Sequence, residues 1–336
     1  MIRTELRFPY LVFIGDQQHD AYAKTGFGLV HWRRDSIAGQ LRFGENAVDL
    51  GVLDLDLESA AKAGVKSLVI GVAPVGGSIP NGWWQVIIEA AEKGLDIVSG
   101  LHGCLADIPA LAAAAKTSGA QLVDIRVPPS GIPVGSGKKR TGKRVLTVGT
   151  DCAVGKKYSA LSLNTTLQEA GAKATFRATG QTGIMIAGEG IPIDAVVSDF
   201  IAGAAELVSP DNDADHWDVI EGQGSLFHPG YSGVSLGLLH GSQPDAIVVC
   251  HDVTRTTVLG WPDYAVPGVS ECMALNVALG RRTNPDVRCV GVCVNTSGLK
   301  ANERSTYLQR LEREVELPCV DPVIDGCNPI ARLLMT

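Results

Sequence analysis

The sequence lacks the long apolar run that a membrane-spanning helix needs. No stretch holds 18 uninterrupted apolar residues, and the opening MIRTELRFPYLVF does not lead into a small-residue cleavage site. We therefore expect a soluble, cytoplasmic protein that has no membrane partner.

Concentrated positive charge is also missing. The formal net charge is −7, and the basic run Lys138-Lys139-Arg140 is short. Because binding to nucleic-acid phosphates requires a basic patch, we do not expect nucleic acid to be the main partner. The short run is interpreted as part of a solvated linker.

No CxxC pair occurs among the eight cysteines, which are dispersed through apolar segments. This distribution favours buried free thiols over a metal site or a redox pair. Cys152 differs because it lies in a glycine-rich turn near Lys156, where its thiol pKa is expected to be lowered. A nucleophilic role for Cys152 lacks the accompanying His and Asn signature.

The chain alternates short apolar runs with segments of helical length, which indicates an α/β fold. In the first part, strands are predicted over 8–15, 67–72, 95–99 and 121–125, with helices over 81–93 and 107–118. This βαβ pattern predicts a Rossmann-like parallel sheet. The turn Gly71–Gly77 resembles a dinucleotide turn but lacks the GxGxxG spacing, which argues against nicotinamide binding and a dehydrogenase module.

The Pro- and Gly-rich segment 126–143 has no apolar period and is the best domain boundary. We predict an N-terminal domain over 1–130, a linker over 131–143 and a C-terminal domain over 144–336. In the latter, strands are predicted over 173–178, 217–221, 245–252 and 288–295, with helices at 155–170, 270–280, 302–314 and 327–335. A glycine-rich connection is expected after the strand that ends at residue 178, and it extends to residue 199. The pattern predicts a doubly wound sheet of the P-loop NTPase type.

The stretch VLTVGTDCAVGKK, residues 145–157, carries an apolar strand into a glycine-rich turn and a helix. This layout predicts a phosphate-binding P-loop, in which backbone N–H groups at a helix N-terminus and a lysine bind phosphate oxygens. Lys157 replaces the Ser or Thr that would bind Mg²⁺, so no metal is expected. The predicted cofactor-binding residues are Gly149, Thr150, Asp151, Cys152, Ala153, Val154, Gly155, Lys156, Lys157 and Tyr158.

Polar residues follow the predicted strands at the edge where parallel sheets bind ligands. Glu221 and His228 are candidate bases, and Lys156 or backbone amides at 179–183 are candidate oxyanion donors. Glu221 could instead be a helix cap or a member of a structural ion pair. Arg177 and Arg255 could likewise form ordinary ion pairs. The predicted substrate-binding residues are Arg177, Thr179, Gln181, Thr182, Gln223 and Arg255.

Three segments carry a family resemblance: VGTDCAVGKKYSA (147–159), ATGQTGIMIAGEGIPIDAVVSDFIAGAAE (178–206) and DVIEGQGSLFHPGYSGVSLGLLHG (218–241). They resemble a two-domain P-loop family whose described members include D-glutamate N-acetyltransferase, and the likeness covers nearly the whole chain. The P-loop also resembles that of dethiobiotin synthetase, which carries Thr at the position of Lys157.

The resemblance implies transfer of an acetyl group from acetyl-CoA to the amino group of D-glutamate, with the P-loop binding CoA phosphates. The alternatives are an ATP- and Mg²⁺-dependent ligase or kinase and a non-catalytic nucleotide or CoA sensor. The sequence does not distinguish a D from an L substrate. We expect small-molecule substrates and a homodimer, the commonest assembly.

Overall fold

The computed structural model describes residues 2–3, 6–73 and 79–336. Part of the turn at 71–77 lies outside these residues. The chain forms two compact units: Ile2–Pro128 together with Ile184–Ala195, and Pro129–Gly183 together with Val196–Thr336. In the described part of the chain, no helix is both long enough and apolar enough to cross a bilayer.

The N-terminal unit is built on a five-stranded parallel sheet with the order β3-β2-β4-β5-β6. These strands are β2 Tyr10–Gly15, β3 Ile37–Arg42, β4 Ser67–Ile70, β5 Asp96–Ser99 and β6 Leu122–Asp124. The helices are α1 Lys24–Trp32, α2 Leu57–Lys62, α3 Trp84–Glu92 and α4 Pro109–Ser118. The short strand β1 Ile2–Arg3 pairs with β9 Glu189–Gly190, which comes from the segment 184–195 that returns to this unit.

Apolar residues of the central strands fill the core of this unit, because parallel strands covered on both faces are apolar throughout. The ring of Phe13 meets that of Trp83 edge to face with 5.3 Å between centroids. The indole nitrogen of Trp83 donates a hydrogen bond to Asp16, which satisfies its only polar group.

The C-terminal unit is built on a six-stranded parallel sheet with the order β15-β14-β11-β7-β10-β8. These strands are β7 Lys143–Gly149, β8 Ala174–Arg177, β10 Trp217–Ile220, β11 Ala246–Asp252, β14 Arg288–Asn295 and β15 Cys319–Val320. The helices are α5 Lys156–Glu169, α6 Gln181–Ala187, α7 Ile201–Val208, α8 Ser232–Ser242, α9 Val269–Gly280, α10 Ala301–Val315 and α11 Asn328–Met335. A hairpin of β12 Thr257–Val258 and β13 Trp261–Ala265 follows β11.

All strands of this second sheet are parallel, but the order in which the chain adds them changes sides at β7. From β7 the chain passes to the edge strand β8 and returns through β10, and it then continues on the other side of β7 to β11, β14 and β15. Ligands of doubly wound sheets bind beyond the carboxyl ends of the strands at such a reversal point. The predicted α/β class with two parallel sheets is confirmed.

The interpretation of Lys138-Lys139-Arg140 as solvated is wrong for Arg140. Its guanidinium donates hydrogen bonds to the carbonyls of Gly241 and Ser242, and its side chain is only 10% exposed. Burial lowers the Arg140 pKa to about 10. The segment 129–142 has no regular secondary structure, but this hydrogen bonding fixes its final residues to the C-terminal unit.

Candidate active site

The P-loop connects β7 to α5 through residues 150–155. Ala153 and Gly155 adopt left-handed backbone angles, with φ of 56° and 102°. Lys156 begins α5, and its buried Nζ donates a 2.8 Å hydrogen bond to the carbonyl of Asp151. The ammonium group therefore lies within the turn, beside a helix N-terminus whose first N–H groups favour anions.

Lys157 lies at the position where common P-loops carry a magnesium-binding hydroxyl. Its Nζ lies 5.0 Å from the ring centroid of Tyr158, which is within cation–π distance. The loop therefore brings a second cation to the start of α5 and has no hydroxyl at that position.

Asp151 is fully buried and organises the P-loop turn. Its Oδ1 accepts the N–H of Cys152 at 2.6 Å, and its Oδ2 accepts hydrogen bonds from Arg255 Nη1 and the N–H of Leu259, both at 2.8 Å. Arg255, a predicted substrate ligand, is thus an ion-pair partner of the loop. These bonds also connect the turn between β12 and β13 to the P-loop.

His228 lies beside this cluster and is 1% exposed. Its Nδ1 accepts the N–H of Gly230 at 3.1 Å, and its ring stacks on Tyr231 and meets the edge of Trp261. A neutral imidazole that accepts at Nδ1 carries its proton at Nε2. Within the described residues, Nε2 has no hydrogen-bond partner. His228 therefore presents a buried N–H donor at Nε2. A nitrogen that already carries a proton cannot act as a base.

Asp151, Cys152 and His228 each place a potential metal-ligand atom within 4.8 Å of the others. The hydrogen bonding does not suit a divalent ion, because both Asp151 oxygens accept protein donors and Nε2 of His228 carries a proton. The cluster is better described as a hydrogen-bonded support for the loop. The absence of a metal stays a prediction.

Glu221 follows β10 directly and is 4% exposed. Its Oε2 accepts the N–H groups of Thr179 and Gly180, both at 3.0 Å, so these amides are already engaged rather than free for an oxyanion. Its carbonyl accepts the Thr179 hydroxyl, which in turn accepts the amide of Gln223 at 3.1 Å. The structure thus brings together three of the predicted residues, Thr179, Glu221 and Gln223.

The two groups of predicted residues meet next to Lys156. The N–H of Gly222 donates to the hydroxyl of Thr147 at 2.9 Å, which joins the end of β10 to β7. A Cβ atom at position 222 would lie 3.1 Å from Cδ of Lys156. The Glu221 segment and the P-loop lysine are therefore neighbours, as the predicted convergence requires.

Arg177 has a structural ion pair instead of an open guanidinium. Its Nε donates to Oδ1 of Asp218 at 2.7 Å, and both side chains are buried. Gln181 begins α6, and Thr182 is buried in its first turn. The substrate-binding roles of these residues stay predictions.

Two pairings of polar side chains at the strand ends were not predicted, although their residues lie at ends of strands where the sequence places ligands. The hydroxyl of Thr150 lies 3.1 Å from Nδ1 of His251, and Asn295 donates to Asp252 at 2.9 Å. Burial lowers the pKa of His251. The signal for Asn295 was available, because it directly follows the apolar run of a correctly predicted strand.

Comparison with known proteins gives the same two-part organisation. The P-loop domain of DUF1611, a domain of unknown function, matches residues 133–331, and the Rossmann-like DUF1611_N domain matches residues 43–128. The chain belongs to the DUF1611 family. A crystal structure of a DUF1611 family protein from Anabaena variabilis superposes with a TM-score of 0.86 at 32% identity, covering 97% of this chain and 99% of that one.

Two DUF1611 relatives carry a named activity. A D-glutamate N-acetyltransferase from Tritonibacter scottomollicae is 49% identical over 97% of this chain and 98% of its own length. A second, from a Pseudoalteromonas species, is 45% identical with the same coverage. The family resemblance expected from the three sequence segments is confirmed.

Proposed function

We propose that this protein transfers the acetyl group of acetyl-CoA to the amino group of D-glutamate. The observation that carries the proposal is the 49% identity to a D-glutamate N-acetyltransferase, which extends over 97% of the chain and therefore through both units. The site geometry is consistent with this reaction, in which a thioester is cleaved and an amide is formed.

The P-loop is assigned to the phosphates of CoA. Lys156 and Lys157 lie at the start of α5 beside N–H groups that favour anions, and a hydroxyl for Mg²⁺ is missing at position 157. Acyl transfer from a thioester requires no phosphate cleavage, so the loop serves for binding and positioning. This combination favours CoA over a nucleotide that is hydrolysed.

The N–H donor of His228 is assigned to an oxygen of the ligand bound at the P-loop. An unpaired buried donor is costly, and a phosphate oxygen would satisfy it with a charge-assisted hydrogen bond. This assignment replaces the role of base that the sequence allowed for His228.

Glu221 is then assigned as the general base. The substrate ammonium must lose a proton before its nitrogen attacks the thioester carbonyl, and a buried carboxylate at the end of β10 is suited to accept it, because the next residue, Gly222, lies against the P-loop lysine. The N–H groups of Thr179 and Gly180 orient this carboxylate at Oε2. Of the two arginines, Arg255 is the better candidate for a substrate carboxylate, because its side chain is more exposed than that of Arg177.

Mass spectrometry of the products tests the function directly. The purified protein is incubated with acetyl-CoA and D-glutamate, beside reactions containing L-glutamate or ATP with Mg²⁺ in place of acetyl-CoA. N-acetyl-D-glutamate formed without ATP is the expected result. ADP release without an acetylated product would instead establish the nucleotide-dependent alternative.

A further inference from the structure

A cavity of about 260 Å³ lies beside the P-loop on the side of β14 and β15. The start of α5 forms one wall through Val154, Gly155 and Tyr158, and residues 321–324 form another. Pockets that enclose a whole drug-sized ligand are commonly about 300–1,000 Å³. This cavity is therefore suited to one part of a larger molecule whose phosphates lie in the P-loop.

The wall formed by residues 321–324 is held in a fixed conformation. Buried Asp321 accepts the N–H groups of Val323 and Ile324 at Oδ1, and the N–H and hydroxyl of Thr296 at Oδ2. The carbonyl of Pro322 accepts the hydroxyl of Ser162 in α5 at 2.7 Å. The cavity is therefore built by hydrogen bonds to both neighbouring elements and does not depend on a ligand to form it.

Two aliphatic side chains of this wall are unusually exposed. Val323 is 56% exposed and Ile324 is 60% exposed, although the N–H groups of both residues are hydrogen-bonded to Asp321. The structure thus holds apolar surface in water next to an anion-binding loop. A flat apolar ring placed against these side chains would remove that surface from water.

Asn295 and Ser297 add polar groups to this apolar lining. One N–H of the Asn295 amide donates to Asp252, and its oxygen accepts the N–H of Ser297. An amide has two N–H groups and two oxygen lone pairs, so Asn295 retains one of each as far as the described residues are concerned. This donor and acceptor pair matches the edge of an adenine ring, which asparagine recognises in the same paired manner in DNA.

We infer that this cavity binds the adenine ring of the cofactor. The ring packs against Val323 and Ile324 with its edge toward Asn295, and the phosphates attached to its ribose reach the N-terminus of α5. The inference rests on the proposed function in that CoA is the adenine-containing cofactor. The cavity distinguishes this nucleotide end from pantetheine, which has no aromatic ring.

Isothermal titration calorimetry with two probes tests this inference without reference to activity. Adenosine 3′,5′-bisphosphate carries the adenine of CoA with its 3′-phosphate and the first of its two 5′-phosphates, whereas pyrophosphate carries phosphates alone. We expect the adenosine compound to bind at least tenfold more tightly, on the order of the gain from burying one apolar ring face. Equal affinities of the two probes would overturn the inference.

A double variant, Val323→Asn with Ile324→Asn, locates the effect. It should weaken binding of adenosine 3′,5′-bisphosphate roughly tenfold and leave pyrophosphate binding unchanged. Val127→Asn is the matched control, because Val127 is 57% exposed and belongs to the N-terminal unit. An unchanged affinity in the double variant, with melting temperature retained, would remove these side chains from the site.

Two measurements on the unmodified protein distinguish a failure of this inference from a failure of the proposed function. Acetylation of D-glutamate with equal KM values for acetyl-CoA and S-acetylpantetheine would keep the function and overturn the adenine site. Preferential binding of the adenosine compound without any acetylated product would keep the adenine site and overturn the function.

Discussion

A Cβ atom at position 183 would lie 2.2 Å from Oε2 of Glu221. Glycine at this position therefore makes room for the carboxylate that also accepts the N–H groups of Thr179 and Gly180. The relationship connects a small residue in α6 to the candidate base at the end of β10.

Gly183→Ala should displace the Glu221 carboxylate. We expect a loss of about 1–3 kcal/mol in unfolding free energy, typical of overpacking, together with a loss of turnover. Urea unfolding and steady-state kinetics measure the two effects. Gly233→Ala in α8 is the control, because a Cβ there meets nothing within 4 Å. Normal turnover in Gly183→Ala would show that the position of the carboxylate is unimportant.

Glu221→Gln should reduce kcat roughly 10²–10⁴-fold, because the amide cannot accept the substrate proton. The KM for acetyl-CoA should change little. Glu206→Gln is a matched control, since Glu206 also accepts two backbone N–H groups, those of Ser136 and Gly137. Glu221 is not the base if its variant turns over at the rate of the control.

Replacement of His228 should distinguish a donor from a base. His228→Gln retains an N–H donor and should bind acetyl-CoA better than His228→Phe, in which KM should rise roughly five- to tenfold for the loss of one hydrogen bond. Steady-state kinetics of both variants give the comparison. Equal, large losses of kcat in the two variants, with KM unchanged, would support a base instead.

Arg177→Met should destabilise the fold by about 3–5 kcal/mol, because it leaves the buried carboxylate of Asp218 without its cation. Adding Asp218→Leu should recover part of this loss. Chemical denaturation of the single and double variants measures it. A fully stable Arg177→Met protein with a raised KM for D-glutamate would instead support the substrate-binding role.

The free energy of unfolding should fall as pH decreases below about 6.5, the ordinary histidine pKa. Burial lowers the pKa of both His216 and His251 in the folded protein, so below this pH the unfolded chain binds more protons than the native one. The corresponding stabilisation is fully present above that pH. Denaturant titrations between pH 5.5 and 7.5 measure the trend, and His251→Asn should reduce its slope. A slope that His251→Asn does not change would assign the trend to other groups.

The sequence predicted the strands of both central sheets well where apolar runs were long and uninterrupted. Residues 288–295 were placed correctly to the residue, and the helix after the P-loop within one residue at each end. Helices α1 and α2 were not predicted. Helices α6, α7 and α8 were also missed, because glycine, serine and alanine conceal a helical period in the segments 178–208 and 232–242. Tertiary packing decides these short helices more than intrinsic propensity does.

The sequence predicted where the candidate site residues lie in the sheet better than it predicted which side chains pair with one another. The order of strands around β7 brings Gly222, the residue after Glu221, next to Lys156, as expected for residues at the carboxyl ends of parallel strands. Sequence spacing does not reveal which cation meets which carboxylate, so the pairs Arg177–Asp218 and Arg255–Asp151 were open alternatives. The tautomer of His228 depends on one backbone N–H, that of Gly230, which only the folded loop places.

The return of residues 184–195 to the N-terminal unit affects how this chain can evolve or be recombined. Strand β9 in this segment pairs with β1, and Asp194 pairs with Arg126. A chimera that joins the first 130 residues of one relative to the remainder of another would combine β1 and Arg126 from one parent with β9 and Asp194 from the other. Inheritance of the two halves as independent modules is therefore disfavoured, and a functional exchange between relatives would have to carry the short returning segment along with the N-terminal half.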